Sequence, residues 1–232
     1  TVGGYTPTVI VTNQTELNTQ LAKTAAQLEG QVIGVQYNAT PYVINRTGTG
    51  SVSNKNFGTG GLIITSYGDQ QARFSTINID DCVNITLHNL EVHTNSDGSV
   101  GSGLIALYDN TQNVTVNGCK IHGKYYDPNG NYAAAGSYAQ QWRGITGSGA
   151  SGTYRKNITL LNNEIYDARR GFSLSVAGTL LVEGNTFHDL DEDPMSFSYN
   201  ASDGGTPTVR CNWNTFYQPI GLASDADNPH FD

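Results

Sequence analysis

The sequence predicts an all-β solenoid, and three observations lead to this fold class. A ten-residue pattern recurs five times along the chain, apolar residues recur at fixed places within it, and apolar and polar residues alternate inside each copy. Alternation with a period of two indicates β-strands, and repetition along one chain indicates stacked coils. The copies span residues 84–93, 113–122, 157–166, 179–188 and 208–217.

The N-terminal residues predict a cap on the solenoid. Val9–Val11 has strand character, and Asn13 followed by Glu16 is a capping-box pattern, which begins a helix that we expect to run to about Leu28. Such a helix would cover the open first coil and protect its strand edges from water. Residues 1–45 are therefore predicted to form an N-terminal capping α-helix and the first coil.

Stacked coils within a single domain are predicted for residues 46–232. The copies start 29, 44, 22 and 29 residues apart, so the shortest spacing sets the coil and the longer ones carry loops. Each coil is predicted to hold three short strands that pair in parallel with those of the next coil. One turn is predicted to carry a buried asparagine ladder, Asn163, Asn185 and Asn214, which Leu90 and Cys119 interrupt in earlier coils.

This arrangement resembles the right-handed parallel β-helix of the pectate-lyase-like superfamily. The resemblance rests on Ile158–Ile165, where a strand, an asparagine-bearing turn and a short strand follow one another, and on the helix and first strands of the N-terminal part. It covers roughly residues 10–232. It implies that a substrate lies along the outside of one parallel sheet, flanked by the loops that precede its strands. The same architecture hosts lyases, hydrolases, epimerases and non-catalytic spikes.

Composition limits the classes of partner. The net charge of −8 leaves no basic face for a phosphate backbone, so we do not expect nucleic acid as a partner. No apolar run approaches the length of about 20 residues that spans a bilayer, and we expect no membrane insertion. An acidic polymer would be repelled unless local cations or a bound metal bridged it. An extracellular location is expected, either secreted or on a virion or cell surface.

A long insertion predicts a substrate-binding loop. The 44-residue spacing leaves residues 123–143 between strands, and this segment is rich in aromatic residues. Aromatic rings on a loop suit the apolar faces of sugar rings, and long loops on a rigid scaffold often carry function. The alternative is a loop that packs on its own aromatics or against a neighbouring subunit. The candidate substrate-binding residues are Lys124, Tyr125, Tyr126, Trp142 and Arg143.

Two shorter loops in successive coils carry opposite charges. Residues 167–170 contain two arginines, and residues 189–193 contain four acidic residues. Aligning the coils on Tyr166 and His188 sets Arg169 beside Asp191 and Arg170 beside Glu192, about one strand spacing or ~4.8 Å apart. One interpretation is an ion-pair ladder along the loop edge.

Two other interpretations of these loops are chemical. Carboxylates could hold Ca²⁺ and so bridge an acidic sugar, with an arginine assisting proton abstraction. Alternatively, two carboxylates could act as acid and base in glycoside hydrolysis. The candidate Ca²⁺ ligands are Asp189, Asp191, Glu192 and Asp193. The candidate catalytic residues are Arg169, Arg170, Asp191, Asp193, His230 and Asp232.

The last of these candidates come from the C-terminal residues. Asn228–Asp232 can be aligned with Asp193–Phe197, the start of an earlier coil. His230 and Asp232 therefore add an imidazole and a carboxylate one coil further along. The natural protein is expected to continue beyond residue 232.

A column of rings is predicted at one corner of the coils. His93, His122, Tyr166, His188 and Tyr217 share one position in the repeat. Stacked aromatic packing is the favoured interpretation, because tyrosines interrupt the histidines and a metal site needs converging ligands rather than a line.

The three cysteines are predicted to be free thiols. Cys119 and Cys211 fall on inward-facing columns, where a cysteine behaves as a small apolar residue. A disulfide is the alternative, although it would leave one cysteine over.

These observations favour a polysaccharide-degrading enzyme that cleaves glycosidic bonds by elimination or hydrolysis along a parallel-sheet groove. The first alternative is a viral tailspike or surface adhesin that binds a glycan through the aromatic loop without cleaving it. The second is a structural spike segment. A homotrimer is the assembly expected of such spikes.

Overall fold

The structure is a computed structural model, which describes residues 4–94, 102–123, 142–148, 153–190, 193–199 and 208–217. Within them the chain forms one continuous parallel system of nineteen strands. The predicted all-β parallel β-helix is confirmed. No helix in these ranges is long and apolar enough to cross a membrane.

The strands are short and follow one another closely. In chain order they are β1 Val9–Val11, β2 Gln31–Gln36, β3 Tyr42–Ile44, β4 Val52–Ser53, β5 Leu62–Tyr67, β6 Arg73–Asp80, β7 Val83–His88, β8 Glu91–His93, β9 Gly103–Tyr108, β10 Gln112–Asn117, β11 Lys120–His122, β12 Arg143–Ser148, β13 Arg155–Leu161, β14 Glu164–Ala168, β15 Arg170–Glu183, β16 Thr186–Leu190, β17 Met195–Tyr199, β18 Thr208–Asn212 and β19 Thr215–Tyr217. The helices are α1 Gln14–Leu21 and α2 Ala25–Leu28.

Parallel pairing between coils arranges these strands in three faces. Face A contains β2, β5, β7, β10, β13, the second part of β15, and β18. Face B contains β8, β11, β14, β16 and β19. Face C contains β9, β12, the first part of β15, and β17. β15 runs from face C into face A without a break, and β6 runs from face B into face C.

The predicted apolar columns line the interior between the three faces. On face A, Val114 pairs with Ile85 of the preceding coil and with Ile158 of the following one, and all three are buried. On face B, the rings of Phe187 and Phe216 stack with centroids 5.3 Å apart. Each strand turns alternate residues inward, so successive coils extend the same core columns.

The predicted asparagine ladder is also confirmed. The side-chain oxygen of Asn163 accepts from the Cys119 backbone N–H at 3.0 Å, that of Asn185 accepts from Asn163 at 2.9 Å, and that of Asn214 accepts from Asn185 at 3.0 Å. Each side-chain amide also donates to a strand carbonyl oxygen at 2.9 Å. The ladder thus satisfies buried backbone groups at the corner between faces A and B.

The N-terminal cap differs from the prediction in one respect. Asn13 caps α1 as expected, accepting from the Glu16 backbone N–H at 3.0 Å, but this helix ends at Leu21. Thr24 then starts α2 with its own capping box. The predicted single helix is therefore two helices, because the Thr24 side chain accepts from the Gln27 backbone N–H and so starts a new helix. Leu17, Leu21 and Leu28 are buried against the first coils, as predicted.

The cysteines correct a second prediction. All three are free, and Cys82 and Cys119 are buried. Cys211, which was predicted to be buried as well, is exposed. It lies in β18, in the last coil that the structure describes, whereas the two buried thiols have described coils on both sides.

Candidate functional site

The corner between faces B and C brings together all of the predicted site residues that the structure describes. We call it the B–C corner; it is the stretch between each face B strand and the face C strand that follows. Arg169, Arg170, Asp189, Asp193, Trp142 and Arg143 all lie there. The other predicted residues, Lys124, Tyr125, Tyr126, Asp191, Glu192, His230 and Asp232, lie outside the described residues.

The predicted aromatic column leads to this corner and is confirmed. Successive ring centroids from His93 through His122, Tyr166 and His188 to Tyr217 are 4.2, 4.6, 4.7 and 4.7 Å apart, with planes within 20° of parallel. The rings stack as a line rather than converge on one point.

Carboxylates of the preceding coil hold two of these histidines. Nε2 of His122 lies 3.3 Å from Oε1 of Glu91, and Nε2 of His188 lies 3.3 Å from Oε1 of Glu164. On its other side, Nδ1 of His188 lies 2.6 Å from Oδ2 of Asp189. The ring orientations are therefore fixed by charged neighbours as well as by stacking.

Two aspartates occupy equivalent places where β14 and β16 reach the corner. Tyr166 pairs with His188 and Ala168 pairs with Leu190, so Asp167 lies opposite Asp189 in the next coil. Both have left-handed backbone conformations, with φ of 47° and 50°. Aspartate adopts this conformation more readily than most residues, because its short side chain can bond locally.

Asp167 has the most strongly perturbed carboxyl group of the corner. Burial, and after it the negative charge of Asp189, raise its pKa from an ordinary value of 3.8 to about 6. His122 and His188 act in the opposite direction. A carboxyl group with such a pKa exchanges its proton near neutral pH, as a general acid or base must.

His122 adds a buried polar atom beside Asp167. Its ring is 7% exposed, and Nδ1 has no hydrogen-bond partner among the described residues. In the later coil, Nδ1 of His188 contacts the side chain of the next residue, Asp189. The residue after His122 is Gly123, which has no side chain to make this contact. Buried polar atoms are normally paired. Nδ1 of His122 is therefore available to a ligand, including one that Asp167 also contacts.

A charged ladder runs along the adjoining edge of face C. Arg143 pairs in register with Arg170, and Nε of Arg170 lies 3.3 Å from Oδ2 of Asp193. The register predicted from the sequence, with Arg170 beside Glu192, is off by one residue. The offset between coils is 22 residues on face B and 23 on face C, where Phe172 pairs with Met195. The loop between them absorbs the extra residue.

Arg169 and Trp142 have structural contacts at this corner. The Arg169 backbone N–H donates to the carbonyl oxygen of Trp142 at 2.8 Å, which joins two coils. The Trp142 side chain is half-buried and packs against the core. Only the exposed part of the Trp142 ring could therefore make the predicted contact with a sugar.

The outer surface of face C is lined with small hydroxyl side chains. Thr146, Ser173 and Ser196 form one column, in which Thr146 is buried and the two serines are partly exposed. Ser175 and Ser198 form a second column, with hydroxyl oxygens 2.8 Å apart. The accessible part of this surface is therefore the patch formed by Ser173, Ser175, Ser196 and Ser198, whose hydroxyl groups can bind those of a polymer.

The Ca²⁺ prediction is supported only by the type of donor atom. Asp189 and Asp193, the two candidate ligands that the structure describes, contact His188 and Arg170. Within the described ranges, no three His, Cys, Asp or Glu side chains are grouped so that they could hold a metal ion. Calcium binding by residues 189–193 stays a prediction.

Sequence reasoning missed Asp167 and His122 as site residues. A signal for Asp167 was present, because Asp167 and Asp189 follow the ring column at the same place, 22 residues apart. The raised pKa could not be predicted, since it depends on burial by neighbouring coils.

Comparisons with protein-family models, with curated proteins and with solved structures each found no match to this chain. Its class therefore follows from its fold, an all-β parallel β-helix. The resemblance to the pectate-lyase-like superfamily stays a prediction.

Proposed function

We propose that this protein is a polysaccharide-degrading enzyme, which binds a glycan along the outer surface of face C and cleaves it at the B–C corner. The observation that carries the proposal is the Asp167 carboxyl group, with its pKa raised to about 6 by burial and by the charge of Asp189. Pairs of carboxyl groups whose environments differ in this way supply the acid and the base of glycoside hydrolysis.

The favoured reaction is hydrolysis. Protonated Asp167 gives its proton to the glycosidic oxygen, while ionised Asp189, oriented by His188 at 2.6 Å, attacks the anomeric carbon. In the second step, a water molecule attacks the sugar that is bound to Asp189 and releases it, and Asp167 takes the proton from this water. The two residues lie in adjacent strands, about 4.8 Å apart in the backbone. Side chains on adjacent strands in register can place two carboxyl groups ~5–5.5 Å apart, the separation in enzymes that retain the anomeric configuration.

The two arginines favour a second reaction, β-elimination from an acidic sugar. Arg143 and Arg170 are neighbours on the edge of face C, and their charges suit the carboxylate of such a sugar. Asp167 in its ionised form would take the proton next to that carboxylate. We include Ca²⁺ at residues 189–193 in this proposal as the cation that would bridge the acidic sugar. Arg170→Ala should then abolish elimination and leave any hydrolysis of neutral glycans intact.

A panel of neutral and acidic polysaccharides tests the proposal. Reducing-end release measures hydrolysis, and the ultraviolet absorbance of an unsaturated product measures elimination; both are followed with and without a calcium chelator. Asp167→Asn should lower turnover by about 10²–10⁴-fold. The matched control is Asp81→Asn, the same change at a residue with φ of 50° at the corner between faces C and A.

Three outcomes separate the alternatives. Cleavage that Asp167→Asn abolishes and Asp81→Asn leaves intact supports the proposal. Cleavage unchanged in Asp167→Asn removes this residue from the mechanism. Glycan binding without any cleavage by the unmodified protein would assign the chain to the non-catalytic tailspikes or adhesins instead.

A further inference from the structure

One turn at the corner between faces A and B contains an unusual residue. A left-handed backbone conformation recurs there in five successive coils, at Asn89, Gly118, Asn162, Gly184 and Trp213, with φ of 51°, 66°, 52°, 67° and 51°. Asparagine and glycine adopt this conformation at little cost. A bulky aromatic residue does not, and such an outlier points to a function.

Trp213 is also the most exposed large apolar side chain among the described residues, at 83%. Trp213 lies in the last coil that the structure describes, where Cys211 is exposed as well, so the direction of its side chain is inferred from the earlier coils. Asn162 and Gly184 have described coils on both sides and are exposed at the same place. The position therefore points outward in the later coils, and the indole is not part of the buried core.

The neighbours of Trp213 leave its ring open and add polar groups. Gly184 occupies the equivalent place one coil earlier, about 4.8 Å away, and has no side chain that could cover the indole. Beside it, the Asn212 side-chain amide donates to Oε2 of Glu183 at 3.5 Å. An aromatic surface with an amide and a carboxylate at its edge is the set of groups that binds a sugar ring and its hydroxyls.

We propose that Trp213 is a second glycan-binding site, separate from the B–C corner, where a sugar ring stacks on the indole. Asn212 and Glu183 bind its hydroxyl groups. The carboxylate of Glu183 repels an anionic ring, so the site takes neutral sugar residues. This inference rests on the proposed function for the choice of a glycan as ligand, and it does not require cleavage.

Tryptophan fluorescence can observe this site alone. The chain has two tryptophans, so Trp142→Phe leaves Trp213 as the sole emitter. Adding neutral oligosaccharides from the same panel should shift and intensify its emission, and acidic oligosaccharides should have a weaker effect. The titration is done in Asp167→Asn as well, where any cleavage is suppressed and the shift should persist.

Trp213→Asn provides the affinity test. It installs the residue that Asn89 and Asn162 have at this place, so it should fold and melt at a higher temperature because the left-handed strain is relieved. Its affinity for neutral polysaccharide should fall roughly tenfold, about the contribution of one aromatic contact.

Three results would overturn the site. They are an unchanged affinity in Trp213→Asn, no emission change in Trp142→Phe with any polysaccharide, and a concentration-dependent dimer that Trp213→Asn abolishes. The last would show that the indole contacts a second copy of the chain. Binding at Trp213 without cleavage by the unmodified protein would refute the proposed reaction alone. Cleavage with no loss of affinity in Trp213→Asn would refute this site alone.

Discussion

Replacing Asp167 with asparagine should make the protein more stable at neutral pH. The folded-state pKa of this carboxyl group is about 6, against an ordinary value of 3.8. Between these values the folded state binds more protons than the unfolded state, so stability falls as the pH rises from about 4 to about 6. Asparagine has no charge to bury and tolerates the φ of 47° at this position.

The size of the effect follows from the pKa. A shift of roughly two units corresponds to about 3 kcal/mol at about 1.4 kcal/mol per unit. Asp167 is partly exposed, and solvent screening reduces this value to about 1–2 kcal/mol. The gain in Asp167→Asn should be present at pH 7.5 and vanish near pH 3.5, where both states of the original protein are protonated.

Urea unfolding of both proteins from pH 3.5 to pH 8 measures the difference. One variant serves as the comparison. Asp81→Asn makes the same chemical change at another left-handed position and measures the effect of the substitution itself. If Asp167→Asn is equally or less stable than the original protein at pH 7.5, the reasoning about this carboxyl group is wrong.

Two further predictions concern the core. Asn185→Ala leaves the Asn163 backbone N–H and a strand carbonyl oxygen unpaired, and it should lower the free energy of unfolding by about 2–4 kcal/mol. Asn162→Gly, which introduces the residue of neighbouring coils, should change it by less than about 1 kcal/mol in the same urea assay. A thiol reagent should modify only Cys211 in the folded protein. Cys82 and Cys119 are buried, with their pKa raised by burial to about 11 and about 12, and should react only on unfolding. Fast reaction of more than one thiol in the folded protein, or no loss of stability in Asn185→Ala, would contradict the respective prediction.

The repeated part of the fold was predictable because one rule applies to every coil. Inward residues alternate along a strand, and stacking places equivalent residues in contact. The column through Ile85, Val114 and Ile158 and the ladder through Asn163 and Asn185 follow from this rule alone. Any misalignment by one residue would have turned every inward side chain outward, so the repeat determined the register within each face.

The features that were not predicted lie where the stacking of equivalent residues does not determine the structure. The extra residue between faces B and C moved Arg170 from Glu192 to Asp193, because loops do not preserve the register of strands. The sequence was compatible with one long helix and with two shorter ones, and the capping box at Thr24 decided between them. The pKa of Asp167 depended on how deeply neighbouring coils bury it, which a strand pattern does not contain.

Both proposed sites follow from a property of the corners. A corner of the coil requires a left-handed residue, and asparagine or glycine meets that requirement most cheaply, as Asn162 and Gly184 do. Asp167 adds the cost of a partly buried charge, and Trp213 adds strain together with an uncovered indole. Neither cost improves the packing of the coils, since neither side chain is part of the buried core. Selection for folding alone would remove both residues, so a role in binding or chemistry is the simplest physical reason for keeping them.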